Sequence, residues 1–251
     1  PLDEQRKIAS RLNEQLAAVE SARKAAEEQL HAAQRLERVY LENLFDGELA
    51  RSWEIKTIGS VAKVQTGYAF KSEWFTPDGI RLLRNANIFQ GYIDWTDSVR
   101  LPVERRHEFK AFEMNKGDIV LSLDRALVNK GLKVARMTEK DLPSLLLQRV
   151  ARFQLSNSIN SDYLYYFLRS PFFIDEITEH DQSIGVPHVS PKQVESVKLP
   201  LPDLKTQEKL ARDIQEKLLY ANQLCDSLES QLAEIESLPA SLLREAFTGQ
   251  L

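Results

Sequence analysis

Near the C-terminal end of the chain an apolar residue returns at every seventh position: Ile214, Ala221, Leu228, Ile235 and Leu242, with Leu224 and Leu238 at the intermediate position. Near the start, Leu12, Val19, Ala26, Ala33 and Tyr40 repeat in the same way. Seven-residue spacing of apolar side chains marks a helix whose seam faces another helix. Gly and Pro are absent between residues 2 and 46, and Pro239 alone interrupts the second run before Gly249. Both runs therefore read as long helices, over residues 3–45 and 205–247. Ala22, Ala26 and Ala33 on one helix against Leu224, Leu228 and Ile235 on the other predict close packing of unlike partners. Gly47 and Gly249 are expected to close the two helices in the left-handed conformation.

The two helical runs are also copies of each other. At a constant offset of 202, Gln5, Lys7, Ile8, Ala9 and Leu12 face Gln207, Lys209, Leu210, Ala211 and Ile214. At the far end, Leu41, Phe45, Gly47 and Leu49 face Leu243, Phe247, Gly249 and Leu251. Matching heads and tails with identical spacing between them indicate an internal repeat. Because the intervening block forces the chain to double back, the repeat predicts an antiparallel pair.

Residues 50–200 have a different texture, with aromatics, β-branched residues and Gly, Pro and Asn punctuation. Strands are expected at Trp53 to Ile58, Gly79 to Leu83, Tyr92 to Trp95, Asp118 to Leu123, Leu132 to Arg136 and Leu145 to Leu155. A helix capped by Ser161 runs to Pro171, and a second from Phe172 to about His180. Ser190-Pro-Lys-Gln193 is a capping box with Pro at the first helical position. The expected fold class is α+β: one globular domain, 50–200, flanked by two long helices, 1–49 and 201–251, that form an antiparallel coiled coil.

Composition narrows the chemistry. No apolar run approaches the roughly 18 residues of a membrane span, and the acidic, basic N-terminus is unlike a secretion signal, so a cytoplasmic protein with no membrane partner is expected. Cys225 is the single cysteine and the four histidines are scattered, so no disulfide or structural metal is expected. Charge is divided unevenly. Residues 50–200 hold 21 Lys and Arg against 18 Asp and Glu, a net of +3, whereas the flanks hold 12 against 19. Any nucleic acid is therefore expected at the middle of the chain and not at its ends. Phosphate loops, dinucleotide fingerprints, nucleophile elbows and the Asn-Pro-Pro-aromatic motif of amino-methyltransferases are all missing. Glu54-Ile-Lys56 lacks the preceding Asp that a nuclease centre needs. The chain is expected to act by binding, without catalysis and without a cofactor.

Several stretches resemble the specificity subunit of type I restriction-modification systems: Lys116-Gly-Asp-Ile-Val-Leu121, Gly185-Val-Pro-His-Val-Ser190, and Val197-Lys-Leu-Pro-Leu-Pro202 leading into the helix of Gln207. Pro1-Leu-Asp-Glu-Gln-Arg-Lys-Ile8 resembles the other copy of the same helix start. The resemblance covers essentially the whole chain. It implies a double-stranded DNA target read in two halves, two recognition domains held apart by conserved helices, and modification (methyltransferase) and restriction subunits as partners. This chain holds one such domain, as in the second half of a subunit or in a half-length form that pairs with itself as a homodimer.

Sequence readout needs forked donors and amides at base edges, with Lys and Arg on phosphates around them. Four segments supply these: Tyr68 to Lys71; Arg84, Asn85 and Asn87; Arg125, Asn129, Lys130 and Lys133; and Gln182, Ser183 and His188. Gln148 and Arg149 are expected inside a strand, where a structural role is as open as a reading one. A different class of function, a hinge or dimerisation module of a chromosome-organising coiled coil, also places a globular domain between two helices, but it does not require those helices to be copies. A stand-alone nuclease or methyltransferase lacks its motifs.

Overall fold

The computed structural model describes residues 2–124, 127–128, 131–178 and 189–248. The chain opens with helices α1 (Leu2–Gln34) and α2 (Leu36–Asp46), then strand β1 (Ile55–Thr57), the short α3 (Ile58–Val61) and β2 (Ala62–Thr66). Strands β3 (Ile80–Leu83), β4 (Val99–Leu101), β5 (Ile119–Ser122), β6 (Leu127–Val128), β7 (Gly131–Leu132), β8 (Val134–Arg136), β9 (Ser144–Leu146) and β10 (Val150–Leu155) follow. Helices α4 (Ser161–Arg169), α5 (Pro171–Thr178) and α6 (Pro191–Ser196), strand β11 (Lys198–Pro200) and the long α7 (Leu204–Thr248) complete it. Contacts divide these elements into two compact units, Pro1–Tyr40 with Asp213–Leu251, and Leu41–Arg212.

The first unit is a helix pair. Tyr40 lies beneath the Lys217 ammonium at 5.5 Å, and Arg23, paired with Glu20 and Glu27, also feels the charge of Glu236. Moving back along one helix from Tyr40 to Arg23 corresponds to moving forward along the other from Lys217 to Glu236, so the two run antiparallel. Ala26 and Ala33 are buried in this unit, as are Ile214, Leu218, Ala221 and Leu228, but Ala22, expected in the same close packing, is exposed and Ile235 is only half-buried. The second seam position differs from the expected one. Leu218, Cys225 and Leu232 are covered, four residues after Ile214, Ala221 and Leu228, whereas Leu224 and Leu238 are 45% and 43% exposed. Leucines stand on both sides of the primary row, and only the partner's position selects between them.

Two helix ends also depart from expectation. The first helix is broken at Arg35, whose N–H bonds to the Ala32 carbonyl at 3.2 Å in a tightened turn. Gly47 does not adopt positive φ. Its lack of a side chain serves instead to bring the chain against Asn43, whose carbonyl oxygen would lie 2.2 Å from any Cβ. Gly249 lies outside the described residues.

The second unit is built on an antiparallel sheet of order β2-β10-β5-β8 and a smaller sheet of order β4-β3-β9, in which β3 and β9 are parallel. Alternation along β3 and β9 gives the small sheet two buried faces. Leu83 and Leu146 join Ile88, Met114, Val120, Met137 and Val150 on one side, while Leu82 and Leu145 join Phe70, Ile80, Leu101 and Phe109 on the other. β1 pairs with β11 beside them. The single strand expected from Leu145 to Leu155 is two strands in different sheets, separated by a turn at Leu147 to Arg149. Tyr92 to Trp95 forms only an isolated bridge, Ile88 to Ile93. Asn160, not Ser161, caps α4, its Oδ1 accepting from the N–H groups of Asp162 and Tyr163. The capping box of α6 forms as read, with reciprocal bonds between Ser190 and Gln193.

The repeated residues have opposite fates. Leu41 and Phe45 are buried in the second unit, with Phe45 edge-on to Tyr163 and Phe167 at 5.3 and 5.2 Å, but their mates Leu243 and Phe247 are 40% and 88% exposed. At the helix starts the order inverts. Gln207 is fully buried, its Oε1 accepting the Asn160 N–H and its Nε2 donating to the carbonyls of Ser158 and Pro202, whereas Gln5 is exposed. Replacing Gln207 with Leu should leave three backbone groups unpaired and lower stability by about 1–3 kcal/mol. The same change at Gln5 should stay within about 0.5 kcal/mol, a contrast that urea unfolding of the two variants reads directly.

Candidate nucleic-acid interface

In the four-stranded sheet β5 and β10 are antiparallel, so the end of β5 and the start of β10 meet at one rim. The turn Leu147 to Arg149 sits there and ties several segments together. Its Leu147 N–H donates to the Leu83 carbonyl at the end of β3, and its Gln148 N–H donates to the Tyr68 carbonyl. The Arg149 carbonyl accepts from Leu123, and the Leu123 carbonyl accepts in turn from Val189. Gly67 permits the approach of the 66–71 segment, since a Cβ there would fall 2.2 Å from the Leu147 carbonyl oxygen. Segments far apart in sequence are thus joined at one edge by backbone hydrogen bonds.

Of the residues expected to read DNA, the described ones fall into two groups. Tyr68 is partly exposed on this rim, backed by Phe70, Phe109 and Phe112. Lys71 is exposed beside Glu73 and above the Trp74 ring, and Asn85 is half-buried on the same side. The other three are engaged. Asn87 is 1% exposed, accepting from the Arg84 N–H and donating to the carbonyls of Asp94 and Asp97. It shapes the 84–97 loop from within, and its amide is already committed to backbone. Arg84 is folded onto the carboxylate and carbonyl of Asp97. Lys133, expected on a phosphate, is 8% exposed with its Nζ donating to the Asn85 carbonyl. It lies between β7 and β8, with its own carbonyl accepting the Ser122 N–H, and its side chain is held by the loop. Arg125, Asn129, Lys130, Gln182, Ser183 and His188 lie outside the described residues; their segments join the described chain at Asp124, Gly131 and Val189.

The structure adds residues that the sequence reading missed. Phe89 and Tyr92 stack face to face, 5.1 Å apart and 7° from parallel, with Tyr92 58% exposed. The Gly91 N–H between them donates to Val134, which sets this loop beside Lys133 and Gly131. Arg149, for which the sequence leaves a structural and a reading role equally open, is 60% exposed in its side chain with Nη1 on the carboxylate of Asp124. An exposed tyrosine beside a loop of amides and cations suits a nucleic-acid surface, where bases stack and phosphates pair with cations. At the opposite end of the strands, a hollow of about 310 Å³ is lined by Asp118, Arg152 and Ser161 among others. Arg152 there is spent on Gln65, Asp118 and the carbonyls of Glu113 and Ala111. Among the described residues no cluster of His, Cys, Asp or Glu could hold a metal ion, and no helix is long and apolar enough to cross a membrane.

Comparison with known proteins places this rim in context. Residues 50–235 match the family model described as the type I restriction modification DNA specificity domain. The chain belongs to that family. It is similar to the EcoAI specificity subunit of Escherichia coli, 43% identical over 178 residues that make up 70% of this chain and 30% of that protein. It is also similar over its whole length to the MjaVIII specificity subunit of Methanocaldococcus jannaschii, at 27% identity and 61% of that protein. The chain thus spans less than two thirds of the length of either relative. Among solved structures its fold resembles a chain from an assembly of the type I R-M system, with a TM-score of 0.78 and 18% identity over 100% of this chain and 60% of that one. The HsdS subunit from Thermoanaerobacter tengcongensis gives 0.66 and 20% over the same shares. These likenesses establish an α+β domain accompanied by two long helices that pack together. The chromosomal hinge considered from sequence finds no support, because the matched region includes the globular block itself.

Proposed function

We propose that residues 41–212 recognise a DNA sequence on behalf of a type I restriction-modification complex, reading one half of a two-part target. The observation that carries this reading is the meeting of separate polar and aromatic segments around the Leu147 to Arg149 turn. Tyr68 and Tyr92 offer rings for contact with bases or sugars, Lys71 offers charge to a phosphate, and Asn85 and Arg149 offer amide and guanidinium donors. Arg84, Asn87 and Lys133 hold the loops that present them. Methyl transfer and cleavage belong, on this reading, to modification and restriction subunits that assemble with the chain in the cytoplasm. The remaining half of the target is read by a second domain of the same kind.

The chain alone, given S-adenosylmethionine and DNA, is expected to transfer no methyl group. Mixed with a modification subunit of the same system, it should direct methylation to sites that share one sequence, as sequencing of methylated genomic DNA would show. Turnover by the chain alone, or methylation without sequence preference in the mixture, would contradict the proposal.

A further inference from the structure

We propose that Arg149 reads a guanine through the major groove, with Asp124 acting as the residue that positions it. The inference rests on the function proposed above and names the chemistry of one contact within it.

Among the described residues Arg149 is the one non-glycine with positive φ, at 67°. An L-residue adopts that conformation at a cost that Gly would avoid, and surrounding bonds impose it. Leu123 donates to the Arg149 carbonyl at 2.9 Å, Val150 donates to Leu147 across the turn at 3.3 Å, and Gly67 donates to the Val150 carbonyl at 3.2 Å. With the Leu147 N–H on the Leu83 carbonyl, the turn is fixed by three neighbouring segments, and a large side chain stands where the backbone favours none. Strained residues of this kind gather at functional sites.

The side chain's surroundings indicate its use. The Asp124 side chain is 9% exposed and its Oδ2 accepts from Nη1 of Arg149, whose own side chain is 60% exposed. A buried carboxylate thus orients an outward guanidinium. The remaining N–H donors of Arg149 have no partner among the described residues. The carboxylate also cancels much of the charge that a phosphate would seek, while leaving hydrogen-bond donors that a neutral base can use. Guanine is the base with two acceptors, O6 and N7, on its major-groove edge, and an arginine fork matches both. Holding the fork in place before binding reduces the entropy lost on contact.

The test uses the complex of this chain with its modification subunit and a duplex carrying the site found by methylation mapping. Each guanine of the half-site is replaced in turn by 7-deazaguanine, which lacks N7. For the wild type, one such replacement should weaken binding roughly 5- to 150-fold. The R149K variant keeps the charge and loses the fork, and the R149G variant relieves the backbone and so keeps the turn. Both should bind the natural site with a similar loss, show little further loss with 7-deazaguanine at that position, and bind unrelated DNA within about threefold of the wild type. D124N should retain part of the preference, with the same guanine still sensitive to 7-deazaguanine. Wild-type affinity of R149K and R149G for the natural site, or losses that multiply with the deazaguanine effect at every guanine, would overturn the assignment. A wild-type complex with no sequence preference would instead overturn the function on which it rests.

Discussion

Replacing Phe45 with Ala is expected to lower the stability of the protein by about 3–5 kcal/mol, while the same change at its repeat mate Phe247 should alter it by less than about 0.5 kcal/mol. The two residues occupy equivalent positions in copied helices and differ only in what covers them. Phe45 is 3% exposed and set edge-on against two rings of α4. Truncation there removes a buried ring and leaves a cavity walled by Tyr163 and Phe167. Relaxation is restricted, because the Tyr163 hydroxyl donates to the Pro200 carbonyl at 2.7 Å. Burial pushes the pKa of that hydroxyl well up, so it stays a donor at any ordinary pH. Phe247 has no such surroundings. Urea unfolding followed by tyrosine and tryptophan fluorescence would measure both variants. Equal losses at the two positions would show that the burial assigned to the second unit is wrong.

Aspartate at Leu228 is expected to destabilise the helix pair by several kcal/mol, whereas aspartate at Leu224 should change little. Leu228 is 6% exposed in the seam of α7 and Leu224 is 45% exposed outside it. A carboxylate forced into the apolar seam must protonate, recruit a cation or separate the helices. The comparison tests the register itself, because the sequence allows either leucine row to be the second seam position. Helical circular dichroism on heating should show an early loss for Leu228→Asp alone. An early loss for Leu224→Asp would restore the alternative register.

Much of the architecture is legible in the amino-acid sequence. The heptad rows, the copied ends and the capping box of α6 all depend on local spacing, which a sequence states openly. What it leaves open is set by partners distant along the chain. The choice between Leu218 and Leu224 belongs to the facing helix. The apolar run from Leu145 to Leu155 looks like one strand, yet β9 pairs with β3 and β10 with β2 and β5. Gln148 and Arg149, a polar pair inside that run, are the available signal of a turn, and the positive φ of Arg149 leaves no mark on residue type. Tyr92 is recognisable as exposed only because its segment folds as a loop stacked on Phe89.

The site shows the same division. Polar loops in the basic middle of the chain are identifiable by composition, and the structure gathers their described parts at one rim. Individual roles are less accessible. Asn87 and Lys133 have the residue types of a reading surface, but backbone carbonyls nearby claim them. A sequence names donors without showing which backbone acceptors already hold them.

Photo-cross-linking tests the central claim most directly. The assembled complex would be irradiated with a duplex carrying its methylated site and photoreactive bases, and the cross-linked peptides identified by mass spectrometry. Within residues 41–212 the cross-links are expected in the segments of the rim, around Tyr68 to Lys71, Arg84 to Tyr92, Leu123 to Asp124, Gly131 to Lys133 and Leu147 to Arg149. Cross-links concentrated instead around Asn115 to Ile119, Phe153 to Leu155 and Ser161, at the opposite end of the strands, would contradict the account.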